Sequence, residues 1–184
     1  GTPFIYQGQE LGVTNADFLS ITDYNDVATK NLYNYRTGQG ESHEQVMGII
    51  RATSRDNSRT PMQWSSDESA GFSSGTPWLG LNPNYKAINV EAQEQDPKSI
   101  LNFYKQMIQL RKKESIFTYG IYDLVLESHP TLYAYTRTMG QQKVIILSNL
   151  SDETLTVTDI EGITYKHENL LLANLEVGVH EKVT

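Results

Sequence analysis

The spacing of apolar residues changes period near residue 115, and that change limits the possible folds more than any other feature of the chain. Upstream the clearest signal is helical. Ile100, Leu101, Tyr104, Met107 and Ile108 line one face behind Asp96 as N-cap and Pro97 at the first helical position. Arg111, Lys112 and Lys113 complete the last turn, where cations complement the helix dipole. This predicts a helix over 97–114. Downstream, "TLYAYTR" (131–137), "KVIILSNL" (143–150), "TLTVTDI" (154–160) and "NLLLANL" (169–175) read as strands, with turns at "TMGQQ" and "SDE". Short strands this close together predict an antiparallel sheet, most simply a small β-sandwich. The boundary falls between Ser115 and Gly120.

Before the helix the chain is less regular. "PFIY" at 3–6, between Gly1 and Gly8, suits a fully buried strand. "DVATKNLYNYR" (26–36) predicts a helix stopped by "TGQG". "ESHEQVMGIIRAT" (41–53) predicts a better one, since Ser42 and Gln45 have capping-box spacing and Val46, Met47, Ile49 and Ile50 make an apolar face. "AGFSSGTPWLGLNPNY" (70–85) is turn-rich. Connections beyond about 12–15 residues are mostly functional or disordered. The connection from Gln9 to about Gln95 carries two tryptophans and many apolar residues, which argue against disorder. A strand, an elaborated loop and a covering helix make one βα unit of an α/β barrel, in which the loop after the strand belongs to the active-site face.

Composition removes several functions. A net charge of −7 argues against nucleic acid as a partner, because phosphate binding needs a basic surface. With no cysteine there is no disulfide, thiolate nucleophile or cysteine-held zinc. No apolar run approaches the roughly 18–20 residues of a membrane span. The chain opens "GTPFIYQGQEL", without initiator methionine or targeting segment, and reads as a piece of a longer cytoplasmic protein.

The most unusual string is "SRDNSRTPMQW" (54–64), which has no amphipathic period. On residue chemistry alone Arg55 reads as a salt bridge shaping the loop. Asp56, Asn57 and Arg59 read as loop architecture, through Asx-type turns and an internal ion pair ahead of Pro61. Trp64 and Trp78 read as structural aromatics beneath the loop, with stacking on sugar rings as the alternative. Glu10, at the end of the first strand, reads as a structural hydrogen-bonding residue. His43, His129, His167 and His180 are scattered and read as surface residues.

Together "GTPFIYQGQELG", "SRDNSRTPMQW", "AGFSSGTPWLGLNPNY", "INV" and "QLRKKES", in that order, resemble the α-glucosidase branch of the α-amylase superfamily, glycoside hydrolase family 13. The resemblance covers essentially the whole chain. It implies an α/β plus all-β protein. Residues 1–115 would be the last βα unit of a catalytic (β/α)8 TIM barrel, with strand 8, a long active-site loop and helix 8. Residues 116–184 would be an antiparallel β-sandwich domain lacking its last strand. It further implies that Arg55 binds the terminal glucose, pairing with an aspartate from an early barrel loop and contacting the sugar's 4-hydroxyl. A guanidinium suits this task, being a rigid, permanently charged fork that can hold a carboxylate and still donate to a hydroxyl.

The implied parent is a retaining, exo-acting α-glucosidase of the oligo-1,6-glucosidase type, acting on short gluco-oligosaccharides. The alternatives are a trehalose-6-phosphate hydrolase and a non-catalytic superfamily member. A retaining glycosidase needs a carboxylate nucleophile and a carboxyl acid/base about 5–5.5 Å apart. The superfamily's acids and its N-H-D motif have no counterpart in this sequence, so no catalytic residue is assigned and the segment alone should be inactive. No metal or cofactor is assigned; the expected partners are the sugar substrate and the missing N-terminal part of the same protein. One departure stands out. Where relatives read D-V/I-E-S-L-N the chain has "DVATKN" (26–31), so Ala28 replaces a glutamate implicated in the +1 subsite. Lys30 replaces leucine, and reads as a solvated lysine or, alternatively, as a contact for a sugar phosphate.

Overall fold

The computed structural model describes residues 2–157, 160, 163 and 170–175. The chain divides into two compact units, residues 3–104 and residues 105–184, the latter joined by the extreme N-terminus.

The first unit is built on two helices. In α1 (Val27–Gly38) the Asp26 side chain accepts from the Thr29 N–H at 3.0 Å, satisfying a donor that a helix start leaves open. In α2 (His43–Thr53) the capping box forms as its spacing predicts. Ser42 Oγ accepts from the Gln45 N–H, and Gln45 Oε1 accepts from the Ser42 N–H. Val46, Met47 and Ile50 of α2 are buried against Tyr24, with Phe18, Ile21, Leu32 and Tyr33 packed around them. Burying each such aliphatic side chain stabilises by about 1.5–3 kcal/mol. This small core joins α1 to α2 and so brings Asp26, at the start of one, near Ser54, at the end of the other. Two further helices follow, α3 (Val90–Gln95) and α4 (Ile100–Lys113).

In the second unit, α5 (Ile116–Tyr119) leads into a three-stranded antiparallel sheet of β1 (Ile121–Val125), β2 (Leu132–Met139) and β3 (Gln142–Asn149), in that spatial order. Met139 pairs with Gln142, leaving a two-residue turn in which Gly140 takes φ 60°, a conformation that favours glycine. One face of the sheet is buried through Val125, Leu132 and Ala134, which cluster with Ile160; Leu155 and Val157 pack against them. Arg137 reaches from β2 to the carbonyls of Phe117 and Thr118 at 3.3 and 3.2 Å and ties α5 to the sheet.

Several elements differ from the sequence reading. The run at 3–6 belongs to no ladder among the described residues, and Phe4 is 92% exposed. Apolar β-branched and aromatic content makes a strand possible, but a strand exists only where a neighbour accepts its backbone bonds. The helix predicted over 97–114 starts three residues later, at Ile100. Asp96 instead ends α3 and turns the chain, accepting from the Lys98 N–H at 2.9 Å, and Ser99 Oγ caps α4 through the Asn102 N–H at 3.1 Å. Along α4 only Leu101 of the predicted face is buried; Ile100, Met107 and Ile108 are exposed. β1 was not foreseen, because "IYDLV" carries a charge in mid-run. Residues 154–157 contribute Leu155 and Val157 to the core without joining the ladder, and residues 170–175 form no strand. Residues 158, 159 and 169 of those two predicted strands lie outside the described residues.

Candidate functional site

The turn after α2 organises the polar residues of "SRDNSRTPMQW". Ser54 caps the single 3-10 turn Arg55–Ser58 by accepting from the Asp56 N–H at 3.3 Å. The Asp56 carboxylate is fully buried and its Oδ2 accepts from the N–H groups of Asn25 and Asp26, at 2.7 and 2.8 Å. Asp56 therefore fixes the backbone leading into α1. Asn57 donates from Nδ2 to the Arg51 carbonyl at 2.9 Å, tying the turn to α2. These contacts give Asp56 and Asn57 the architectural part read from their sequence.

Asp26 is the centre of the cluster. Its side chain is 6% exposed; Oδ1 accepts from Arg55 Nη2 at 2.6 Å and lies 3.5 Å from Arg59 Nη1. Its Oδ2 accepts from the Thr29 N–H and from Thr29 Oγ1, both at 3.0 Å, and Thr29 Oγ1 in turn meets Ser54 Oγ at 2.9 Å. Burial alone raises the Asp26 pKa, but the two Thr29 bonds and the Arg55 guanidinium outweigh it and hold the carboxyl below its ordinary value. Arg59 also lies 3.6 Å from Asp56 Oδ1, the ion pair anticipated ahead of Pro61. Two arginines face two carboxylates, so the cluster has no formal net charge.

Arg55 differs from its neighbours in exposure. Its side chain is 61% exposed although one guanidinium nitrogen is locked on a buried carboxylate. A fork with five N–H donors has several left to offer outward, in a fixed direction. The cluster thus presents hydrogen-bond donors to its surroundings. Asp26 and Asp56 are both engaged by backbone N–H groups and by arginines.

Among the described residues Arg55 pairs with Asp26, within the same elaborated loop; the early-loop aspartate that the resemblance implies lies outside this sequence. Sequence reasoning gave Asp26 no functional part. Its position three residues before Thr29 at a helix start could have marked it as an N-cap, but its meeting with Arg55 depends on the α1–α2 packing. Trp64 and Trp78 do not lie beneath the loop: they are 51% and 67% exposed. Glu10 sits in the single turn Gln9–Leu11, and its buried Oε2 has no hydrogen-bond partner among the described residues. Ala28 and Lys30 are exposed on α1. His43 meets Tyr33 Oη at 2.8 Å, and His129 Nδ1 accepts from the Leu132 N–H at 3.0 Å; His167 and His180 lie outside the described residues. A cleft of about 440 Å³ borders the same turn, lined by Tyr6, Thr14, Ser54, Asn57 and Gln63 among others, but Arg55 and Asp26 are not among its walls.

The model of the alpha-amylase catalytic domain matches residues 1–120, a span that includes the whole Arg55–Asp26 cluster. The chain belongs to the alpha-amylase family. Among curated members of that family, the oligo-1,6-glucosidase of Parageobacillus thermoglucosidasius is 48% identical over 184 residues, covering all of this chain and 33% of that protein. The trehalose-6-phosphate hydrolase of Escherichia coli (strain K12) is 46% identical over 153 residues, 83% of this chain and 28% of that protein. The crystal structure of Bacillus licheniformis trehalose-6-phosphate hydrolase aligns with a TM-score of 0.79 and 46% identity, over 82% of this chain and 27% of that one. This family member thus spans about a third of the length of the curated relatives it matches.

Proposed function

We propose that this chain is the C-terminal segment of a retaining, exo-acting α-glucosidase of the oligo-1,6-glucosidase type, and that Arg55 holds the terminal glucose of a short gluco-oligosaccharide. Under this reading residues 1–115 complete a (β/α)8 barrel and residues 116–184 form its C-terminal β-domain. The reacting carboxylates come from the preceding part of the same protein. The observation that carries the proposal is the state of Arg55: anchored by one bond to a buried carboxylate, yet more than half exposed. Glucose and its epimers differ only in hydroxyl placement, and a fixed donor rejects the wrong epimer by being left without a partner. The neutral charge of the cluster suits an uncharged sugar at this position. The names of the relatives support the substrate class, and the span of about a third of their length supports the division between binding and reacting residues.

The test is made on the full-length protein. Arg55→Ala should lower kcat/KM for isomaltose by about 100-fold or more, the scale of losing a charged hydrogen bond to substrate and its orienting effect. Unchanged kinetics in a folded variant would refute the assignment. Residues 1–184 alone should release no glucose from isomaltose, and turnover above a protein-free blank would refute the division of labour. A second reading, hydrolysis of trehalose 6-phosphate, is favoured by two relatives of that name at 42% and 46% identity. Comparing isomaltose with trehalose 6-phosphate on the full-length protein separates the two.

A further inference from the structure

Trp78 has an exposed ring on a fixed backbone. The residue is 67% exposed, and its indole makes no ring contact or side-chain hydrogen bond among the described residues. The chain carrying it is held at Trp78 and on its C-terminal side. The Trp78 carbonyl accepts from Asn25 Nδ2 at 2.9 Å, the adjacent Leu79 is 1% exposed, and Asn82 Nδ2 donates to the Thr14 carbonyl at 2.7 Å. Gly80 allows this path, since a Cβ there would stand 3.0 Å from the Phe18 ring. Exposing a large aromatic on a mobile loop is unremarkable; here the backbone is pinned while the ring is left to solvent.

The pin leads directly to the arginine site. Asn25, which holds the Trp78 carbonyl, gives its own N–H to Asp56 at 2.7 Å, and the next residue, Asp26, holds Arg55 at 2.6 Å. One side chain therefore couples the indole-bearing segment to the carboxylate that aims the guanidinium. Trp64 has no such link. Its backbone bonds go to Ala70 and Glu91, at 2.9 and 3.0 Å.

We infer that Trp78 is a specificity-determining residue whose indole stacks on the sugar ring bonded to the glucose that Arg55 holds. This rests on the proposed glucose site. The chemistry matches in two ways. The apolar C–H face of a pyranose covers a flat aromatic surface without leaving polar groups unpaired, and the indole N–H is free to donate to a ring hydroxyl. A platform fixed in advance loses little conformational freedom on binding.

The experiment compares two substrates of the full-length protein, isomaltose and α-glucosyl fluoride, whose leaving group has no sugar ring. Trp78→Ala should raise KM for isomaltose roughly 5- to 10-fold, the range of an aromatic stacking contact, and leave kcat/KM for the fluoride unchanged. Trp78→Phe should recover most of the isomaltose affinity, Trp78→Gln should behave as alanine does, and Trp64→Ala should change neither substrate. Equal losses on both substrates, or none on isomaltose, would overturn the inference, as would a phenylalanine variant no better than alanine. Should Arg55→Ala also leave both substrates untouched, the glucose site itself fails; Arg55 sensitivity with Trp78 indifference removes only the stacking platform.

Discussion

Replacing Asp26 by asparagine tests the physical basis of the site without any substrate. Asparagine keeps the shape, so Thr29 can still give its N–H and hydroxyl to one side-chain oxygen. The other terminus then becomes an NH2 donor facing Arg55, where a carboxylate oxygen had accepted at 2.6 Å. Two terms are lost. The ion pair itself is discounted by solvent, since the arginine is 61% exposed, and contributes up to about 1 kcal/mol. The Thr29 bonds change from charge-assisted to neutral, a loss of about 1 kcal/mol between them. The full 3–5 kcal/mol of a broken buried pair is not reached, because the freed guanidinium turns to water and is not stranded. The sum is about 2 kcal/mol of destabilisation near neutral pH.

The pH dependence follows from sign. The folded-state pKa of Asp26 lies below the unfolded value of 3.8. Its contribution is therefore fully present above that unfolded value and is lost as pH falls through the folded one. Parent and variant stabilities should differ by about 2 kcal/mol near neutrality and converge below about pH 4. Urea unfolding followed by circular dichroism, at several pH values, measures the difference. A variant within about 0.5 kcal/mol of the parent at neutral pH, or a gap that persists undiminished in acid, would refute the account of Asp26 as an ionised anchor.

Two further substitutions test how the flanking elements are held. Gly120 has an ordinary φ, but an added Cβ would stand 2.6 Å from the Ile116 carbonyl oxygen and 3.3 Å from Arg137 Cβ. Neither neighbour is free to move away, so Gly120→Ala should cost about 1–3 kcal/mol in a thermal or urea melt, and a neutral result would mean that α5 is not packed as described. Ser42→Ala removes one half of the α2 capping box and should cost about 1 kcal/mol, while Ser42→Asp should restore most of it. Equal stabilities of serine and alanine would show that the box is not formed in solution.

What the sequence determined is the local part of the molecule. The capping box at Ser42–Gln45, the apolar face of Val46, Met47 and Ile50, and the alternation through "TLYAYTR" and "KVIILSNL" each fix a conformation through neighbours three or four residues away, or by side-chain period. The specific string around Arg55 likewise carries the resemblance to the family by itself. Tertiary structure decided what depends on distant partners. It placed Asp26 at the cap of α1 and, through the core beneath Tyr24, beside the arginine 29 residues further on. It left Phe4 and, on the predicted face of α4, Ile100, Met107 and Ile108 exposed, where the pattern alone predicted burial. It also turned Trp78 outward, on a backbone that Asn25 holds. An apolar or aromatic residue carries no record of whether a partner will cover it, and a carboxylate none of which cation it will meet; those outcomes are set by which surfaces the fold brings together.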